Sequence, residues 1–500
     1  MSRIENSIKN VKFSLGGQMI SLLLSFVSRT VFVRYLSAEY LGLNGLFTNV
    51  LSILSLAELG VGTAIIYSLY EPLAKNQEYR LKALMRIFRN VYITVGIWMF
   101  VAGLALTPFL DFFIKDMPDI PNINLIYIMF VANSATSYFF SYKRSLVIAD
   151  QKKYIDSFYH FVSLILIHLI QIVVLVLTKN YILFLTVRIV GSFAENYLIT
   201  LKANKLYPYL KKYNGEKLEA DDKKTIVKNI KALFFHRIGT IAVTGTDNLL
   251  MSKFVSLISV GLYSNYLMIT ASLTMVYKLI FQSLIASVGN LGVSEDKKRL
   301  ISVFKSVDFF GFWIFGFSSI ALFILFNPFI ELWLGEEYLF EMPIVFLISL
   351  NFYLKGMRTG VLTFKDALGL YYQDRYKPLI EAVINLSASI FLAINFGVAG
   401  VLIGTTISTL TTSFWVEPYV LYKYGFNDKI YHYFKTYVLR SALAFGIGYV
   451  TYLASRLANG GSLMEFALKA VITAVIPNLF FLIIFRKKEE FKYIIKALKR

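Results

Sequence analysis

Residues 91–106 read Val-Tyr-Ile-Thr-Val-Gly-Ile-Trp-Met-Phe-Val-Ala-Gly-Leu-Ala-Leu, a run without a single charge. Arg86 and Arg89 stand just before it. Asp111, Asp116 and Asp119 follow it, against one Lys115. A helix needs roughly 20 mostly apolar residues to cross a bilayer, and residues 87–110 supply that length. Its basic flank belongs on the cytoplasmic side and its acidic flank outside. One stretch therefore predicts both a membrane span and its direction.

The rest of the chain repeats the pattern. Of 500 residues, 57% are hydrophobic and 16% charged, whereas a soluble domain carries about 25% charged residues. Aromatic residues make up 16%, mostly Phe and Tyr, which suits helices with lipid-facing sides. Apolar runs of spanning length occur at 11–33, 41–69, 87–110, 122–146, 156–178, 181–203, 230–252, 258–288, 304–327, 343–364, 377–396, 398–421, 437–455 and 466–485. The reading is an all-α polytopic membrane protein with about fourteen transmembrane helices. The polar start, Met1 to Asn10, leads into an apolar run longer than a signal peptide's, so no cleavable signal is expected.

Alternate loops are basic: Lys75, Arg80, Lys82, Arg86 and Arg89; Lys143, Arg144, Lys152 and Lys153; Lys297, Lys298 and Arg299; Lys355, Arg358, Lys365, Arg375 and Lys377; Lys423, Lys429 and Lys435. An opposing loop carries Glu331, Glu336, Glu337 and Glu341 with no basic residue. Both termini then fall in the cytoplasm, as an even number of spans requires. The net charge of +20 is thus read as topology rather than nucleic-acid binding. There is no cysteine, which excludes disulfides, thiolate metal sites and Cys nucleophiles. At the C-terminus Phe491, Ile494, Ile495 and Leu498 share one helical face among lysines, the pattern of an amphipathic helix on an anionic leaflet.

An internal repeat organises the spans. Arg34-Tyr35-Leu36-Ser37 precedes Leu41-Gly42-Leu43, and Lys253-Phe254-Val255-Ser256 precedes Val260-Gly261-Leu262 at the same spacing. A weaker echo follows: Arg144-Ser145 with Val147 closes the fourth span, and Arg358-Thr359 with Val361 closes the tenth. Two six-helix lobes related by a pseudo-two-fold along the membrane normal are expected, plus two C-terminal helices. The expected divisions are a lobe over 1–210, a cytoplasmic linker over 211–228, a lobe over 229–425, helices 13 and 14 over 426–486, and a tail over 487–500.

Ionisable groups inside spans cost at least ~2.5 kcal/mol at the bilayer centre, so each needs a partner or a wet cavity. The candidates are Arg29, Glu58, Arg188, Glu195, Arg237, Asp247, Lys278 and Glu381. Asn44, Thr48, Ser52 and Ser55 recur at helical spacing, and Glu58 continues their stripe; such a stripe faces a cavity or another helix rather than lipid. Glu58 and Lys278 also suit positions near the cytoplasmic ends, reached by snorkelling. Arg188 and Glu195, seven residues apart on one face, read as packed within the bundle. His160 and His168 read as structural rather than as proton carriers. No metal-ligand spacing and no nucleotide-binding loop is present.

Several motifs resemble those of bacterial polysaccharide repeat-unit flippases of the Wzx type, in the multidrug/oligosaccharidyl-lipid/polysaccharide exporter superfamily. They are Leu41-Gly-Leu-Asn-Gly-Leu-Phe47, Ala57-Glu-Leu-Gly-Val-Gly-Thr-Ala64 and Tyr70-Glu-Pro-Leu-Ala74, then His236-Arg-Ile-Gly239, Thr246-Asp-Asn248 and Val260-Gly-Leu-Tyr-Ser-Asn-Tyr266. The resemblance implies a non-enzymatic, cofactor-free transporter of the plasma membrane. It would move an undecaprenyl-diphosphate oligosaccharide between leaflets by alternating access, for capsule, exopolysaccharide or O-antigen synthesis. Arg29, Arg237 and Lys278 would meet the diphosphate, and Asn44, Thr48, Ser52 and Asn265 the sugar. Asp247, Glu58, Arg188 and Glu195 would act as counter-charges or coupling groups. Implied partners are membrane lipids, a polysaccharide polymerase and a chain-length regulator, around a monomer. A lipid II flippase and a cation-coupled drug exporter of the same fold remain as alternatives. A membrane glycosyl-polymerase is disfavoured because every external loop is short.

Overall fold

The structure, a computed structural model, describes residues 3–55, 61–211, 245–294, 297–458 and 462–498. Among them the secondary structure is helical, with no strand. The chain divides into two compact units, residues 1–261 and 262–500. Most of the expected linker, and the expected seventh span up to residue 244, lie outside the described residues.

The first unit contains α1 (Arg3–Tyr35), α2 (Ala38–Leu54), α3 (Val61–Ala74), α4 (Glu78–Leu106), α5 (Ile123–Ala149), α6 (Lys153–Thr178), α7 (Tyr181–Leu206) and α8 (Asp247–Phe254). Helix α5 packs along α4 and α7, and α6 along α1. Aromatic rings fill the interior: Phe47 of α2 meets Tyr127 and Phe130 of α5 edge-on at 5.0 and 5.6 Å. Phe32 of α1 meets Tyr181 and Phe184 of α7 at 5.8 and 5.4 Å. Edge-to-face geometry adds to the burial of such rings.

Helix α9 (Leu257–Ser294) starts in the first unit and runs into the second. The second unit continues with α10 (Lys297–Leu334), α11 (Met342–Met357), α12 (Thr359–Ala367), α13 (Lys377–Ser408), α14 (Tyr431–Ser455), α15 (Ser462–Phe485) and α16 (Glu489–Leu498). Helix α10, 38 residues long, is its spine, with α11, α12, α14, α15 and α16 packed against it.

Ten described helices are long and apolar enough to cross a membrane. This is the multi-pass membrane protein the hydropathy predicts, and the difference from fourteen has local causes. Gly397, at φ 57°, breaks α13, so the helical stretch 377–426 carries two of the expected spans. That backbone conformation is one L side chains avoid. Of span 41–69, α2 and α3 cover the two ends while residues 56–60 lie outside the described residues, and span 343–364 is divided between α11 and α12 at Arg358. Of span 230–252 only the end, in α8, is described.

The C-terminal helix α16, expected as an amphipathic helix on the membrane surface, also makes contact with the second unit. Its apolar face packs on α10, where Phe491 stacks on Trp313 at 5.5 Å. Trp313 in turn donates its indole N–H to Asn478 of α15 at 2.9 Å. Ile495 and the lysines at 492 and 496 stay exposed.

Candidate functional site

Helix α2 shows why its stripe is polar. Leu41, Leu43, Leu46, Phe47, Val50 and Leu51 are buried in the first unit. Thr48 is exposed on the other side, and Asn44 and Ser52 are half-buried. Asn44 donates to the carbonyl of Tyr40, and Ser55 to that of Ser52, so these groups are satisfied along their own helix. Such local bonds satisfy part of a polar helix face within a membrane protein.

The predicted charges that are described stand in different surroundings within their own units. Arg29 is half-buried on α1, and Asp247 opens α8 beside the buried Asn248, which lies near Gly45 of α2. Lys278 is exposed on α9, whereas Asn265, on the same helix, is fully buried with both amide atoms lacking a hydrogen bond. Glu58 and Arg237 lie outside the described residues. Arg188 is exposed, its guanidinium 6.0 Å from the Phe130 ring.

Glu195 finds partners on two other helices. Arg144 of α5 donates through Nη2 to Glu195 Oε1 at 2.5 Å, and Arg144 Nε is 2.8 Å from Asp156 Oδ1 of α6. His160 Nδ1, also on α6, is 3.1 Å from the same Glu195 oxygen. Three helices are thus joined at one cluster, in which the carboxylates are largely buried and the imidazole is half-exposed. A face seven residues long on a single helix does not reveal such cross-helix pairing.

A second cluster joins α11, α13 and the continuation of α13. Arg358 grips Glu417 with two hydrogen bonds of 2.9 and 2.7 Å, and stands 3.7 Å from Glu381. Lys377 donates to Glu417 at 2.6 Å and Ser413 at 3.1 Å, and lies 3.3 Å from Glu381. A two-pronged guanidinium–carboxylate contact is among the strongest charged hydrogen bonds. Glu417 lies between two π-helical turns, Thr409–Ser413 and Leu421–Phe426. Such turns add a residue to the helix and re-aim its side chains, often at functional sites.

Sequence reading picked out Glu381 but not Glu417 as a membrane charge. It also passed over Asp308 of α10 and Arg440 of α14, a buried pair at 2.6 Å whose guanidinium lies over Phe309 and Phe312. The signals that point to the two clusters are the Arg144/Arg358 echo and the membrane charges Glu195 and Glu381.

No family model matches the chain, and no curated protein matches it. Solved structures do. The lipid II flippase MurJ, in an inward closed conformation, is similar at a TM-score of 0.65 and 14% identity, over 95% of this chain and 99% of that one. An inward-facing multidrug resistance MATE family transporter of the MOP superfamily matches at 0.59 and 13%, over 82% of this chain and 97% of that one. A mutant of the Vibrio cholerae MATE transporter VcmN matches at 0.58 and 12%, over 84% and 97%. At these identities the likeness establishes the two-lobed, all-helical fold shared with transporters of that superfamily.

Proposed function

We propose that this chain is a flippase that carries undecaprenyl-diphosphate-linked oligosaccharide repeat units from the cytoplasmic to the outer leaflet of the plasma membrane. Alternating access moves the cargo, and the product feeds capsule, exopolysaccharide or O-antigen synthesis. The observation that carries the reading is the reach of the likeness to MurJ, whose name describes a flippase of a lipid. At 95% coverage about 25 of the 500 residues are unmatched, fewer than α14 and α15 contain, so the match extends into those helices.

In this reading Arg29, Arg237 and Lys278 meet the diphosphate, because guanidinium and ammonium groups in a low-dielectric site suit a doubly charged anion. Asn44, Thr48, Ser52 and Asn265 meet the sugar. Asp247, Glu58, Arg188 and Glu195 balance the cationic groups or couple transport to an ion gradient or the membrane potential. Both termini lie in the cytoplasm. A polymerase and a chain-length regulator act on the delivered cargo, and the protein works as a monomer among membrane lipids without a cofactor.

The same likeness favours a second reading, transport of lipid II itself. Deleting the gene and extracting lipid-linked sugars from each leaflet separates the two. Accumulation of oligosaccharide repeat units on the cytoplasmic side, with viable cells and lost surface polymer, supports the proposal. Arrest of growth with accumulated lipid II supports the alternative. Normal leaflet distribution of both defeats the flippase reading.

A further inference from the structure

The two ion-pair clusters draw on corresponding helices of the repeat, although the order of acid and base on the fifth helix is reversed between them. Each has an arginine at the end of the fourth helix of its half, Arg144 and Arg358. Each has a carboxylate near the start of the fifth, Asp156 and Glu381, and one on the sixth, Glu195 and Glu417. Each has a further nitrogen on the fifth helix beside the sixth-helix carboxylate: His160 at 3.1 Å and Lys377 at 2.6 Å.

The charge count separates them. Arg358 and Lys377 balance Glu381 and Glu417, so that cluster is neutral with fixed charges. Among the described ion pairs, Arg144 is the cation in contact with Asp156 and Glu195, with Lys153 acting on Asp156 from further off, so the contacting groups carry one negative charge in excess while His160 is neutral. An unbalanced charge away from water costs several kcal/mol, and a group that titrates near neutrality can remove it.

We propose that the cluster of Arg144, Asp156, His160 and Glu195 is a proton-binding site, with the imidazolium of His160 serving as the exchangeable counterpart of Lys377. In neutral His160, Nδ1–H donates to Glu195 Oε1. One proton then enters at Nε2 of the half-exposed ring, and no other bond changes. The groups facing the ring are Glu195 of α7, Arg144 of α5 and Asp156 of α6, with Lys153 beyond Asp156. Helix α1 lies along α6 with Gly17 against Phe161. Its residues 16–28 are uncharged, Lys12 stands five residues before Gly17, about 7.5 Å along the helix, and Arg29 twelve residues after it, about 18 Å. Protonation makes the cluster neutral and ties the ends of α5, α6 and α7 together. Loss of the proton leaves a buried excess carboxylate and loosens them. This site does not depend on the identity of the transported lipid.

The test uses the full chain purified in nanodiscs. Thermal midpoints are measured between about pH 5 and 8, where histidine titrates, for the wild type, His160→Lys and His160→Gln. The wild type is expected to lose stability as pH rises. His160→Lys should stay flat near the acid value, because it installs the fixed charge of the other cluster. His160→Gln should stay flat near the alkaline value. Imidazole NMR of the four histidines, with His160 assigned from His160→Gln, gives a second readout that needs no change of fold. Glu195→Gln should displace the His160 titration midpoint and leave that of His432 unchanged. Wild-type and His160→Lys profiles of the same slope, or a His160 midpoint indifferent to Glu195→Gln, would overturn the proposal.

Discussion

A β-carbon placed on Gly42 would overlap the backbone carbonyl oxygen of Leu257, so the first turns of α2 and α9 touch backbone to side. The contact is reciprocal: a β-carbon on Gly261 would overlap the carbonyl of Ala38. These are the two glycines of the repeated aliphatic-Gly-Leu motif, and each meets the residue that opens the other's helix. Small residues at such crossings let helix backbones approach in a membrane, where apolar surface alone does not hold helices together.

Gly42→Ala and Gly261→Ala are therefore expected to force the two helices apart. Overpacking a tight contact costs about 1–3 kcal/mol, more where the obstacle is backbone that cannot rotate away. A thermal melt in detergent should show a lower midpoint for each variant. Gly16→Ala serves as the control, because nothing lies within 4 Å of its added β-carbon. Equal midpoints for all three would contradict the close approach.

The Arg358 cluster should respond asymmetrically to single and double changes. Arg358→Met leaves Glu381 and Glu417 sharing Lys377 alone, one buried negative charge in excess. Removing one partner of a buried pair costs about 3–5 kcal/mol. Arg358→Met with Glu381→Gln restores neutrality and should recover much of that loss. If the double variant melts no higher than the single one, charge balance is not what holds the cluster.

Asp308 and Arg440 offer a parallel case without the extra lysine. Asp308→Leu alone should destabilise the second unit by about 3–5 kcal/mol, because Arg440 then stays buried without its carboxylate. Asp308→Leu with Arg440→Met should come close to the wild type, since apolar replacement of a buried pair is often neutral. Heat unfolding followed by tryptophan fluorescence reads both, with Trp313 on the same helix as Asp308.

These pairings mark where sequence reading stops. Hydropathy registers apolar length, so the spans of α4 to α7, α14 and α15 were legible. It does not register backbone geometry, so the breaks at Arg358 and Gly397 and the π turns around Glu417 were not. Asp308 and Arg440 are 132 positions apart, and no periodicity links such a pair. Arg188 and Glu195, seven residues apart on one face, read as packed within the bundle; Glu195 reaches to α5 and α6, whereas Arg188 is exposed with its guanidinium 6.0 Å from the Phe130 ring. The repeat was more informative than periodicity. It marked Gly42 with Gly261 and Arg144 with Arg358, because both repeats keep the same steric and electrostatic requirement in the same place.

The polar face of α2 and Arg29 of α1 can be tested together. Thr48 is exposed and Ser52 half-buried, while the opposite face of α2 carries the packing. Thr48→Leu and Ser52→Leu should leave the melting midpoint within error of the wild type. If that face meets the sugar, each change removes one neutral hydrogen bond of about 0.5–1.5 kcal/mol, a roughly two- to tenfold loss of transport. Arg29→Ala should cost more, roughly ten- to a hundredfold, because a charged contact to a diphosphate is worth about 1.5–3 kcal/mol. Surface polymer per cell, normalised to the amount of protein in the membrane, measures all three. The ordering is the discriminating result: a deeper defect for Arg29→Ala than for the α2 variants, all at wild-type protein levels, is what a diphosphate-linked sugar requires. Equal polymer output from all three variants would remove Arg29, Thr48 and Ser52 from the transport path.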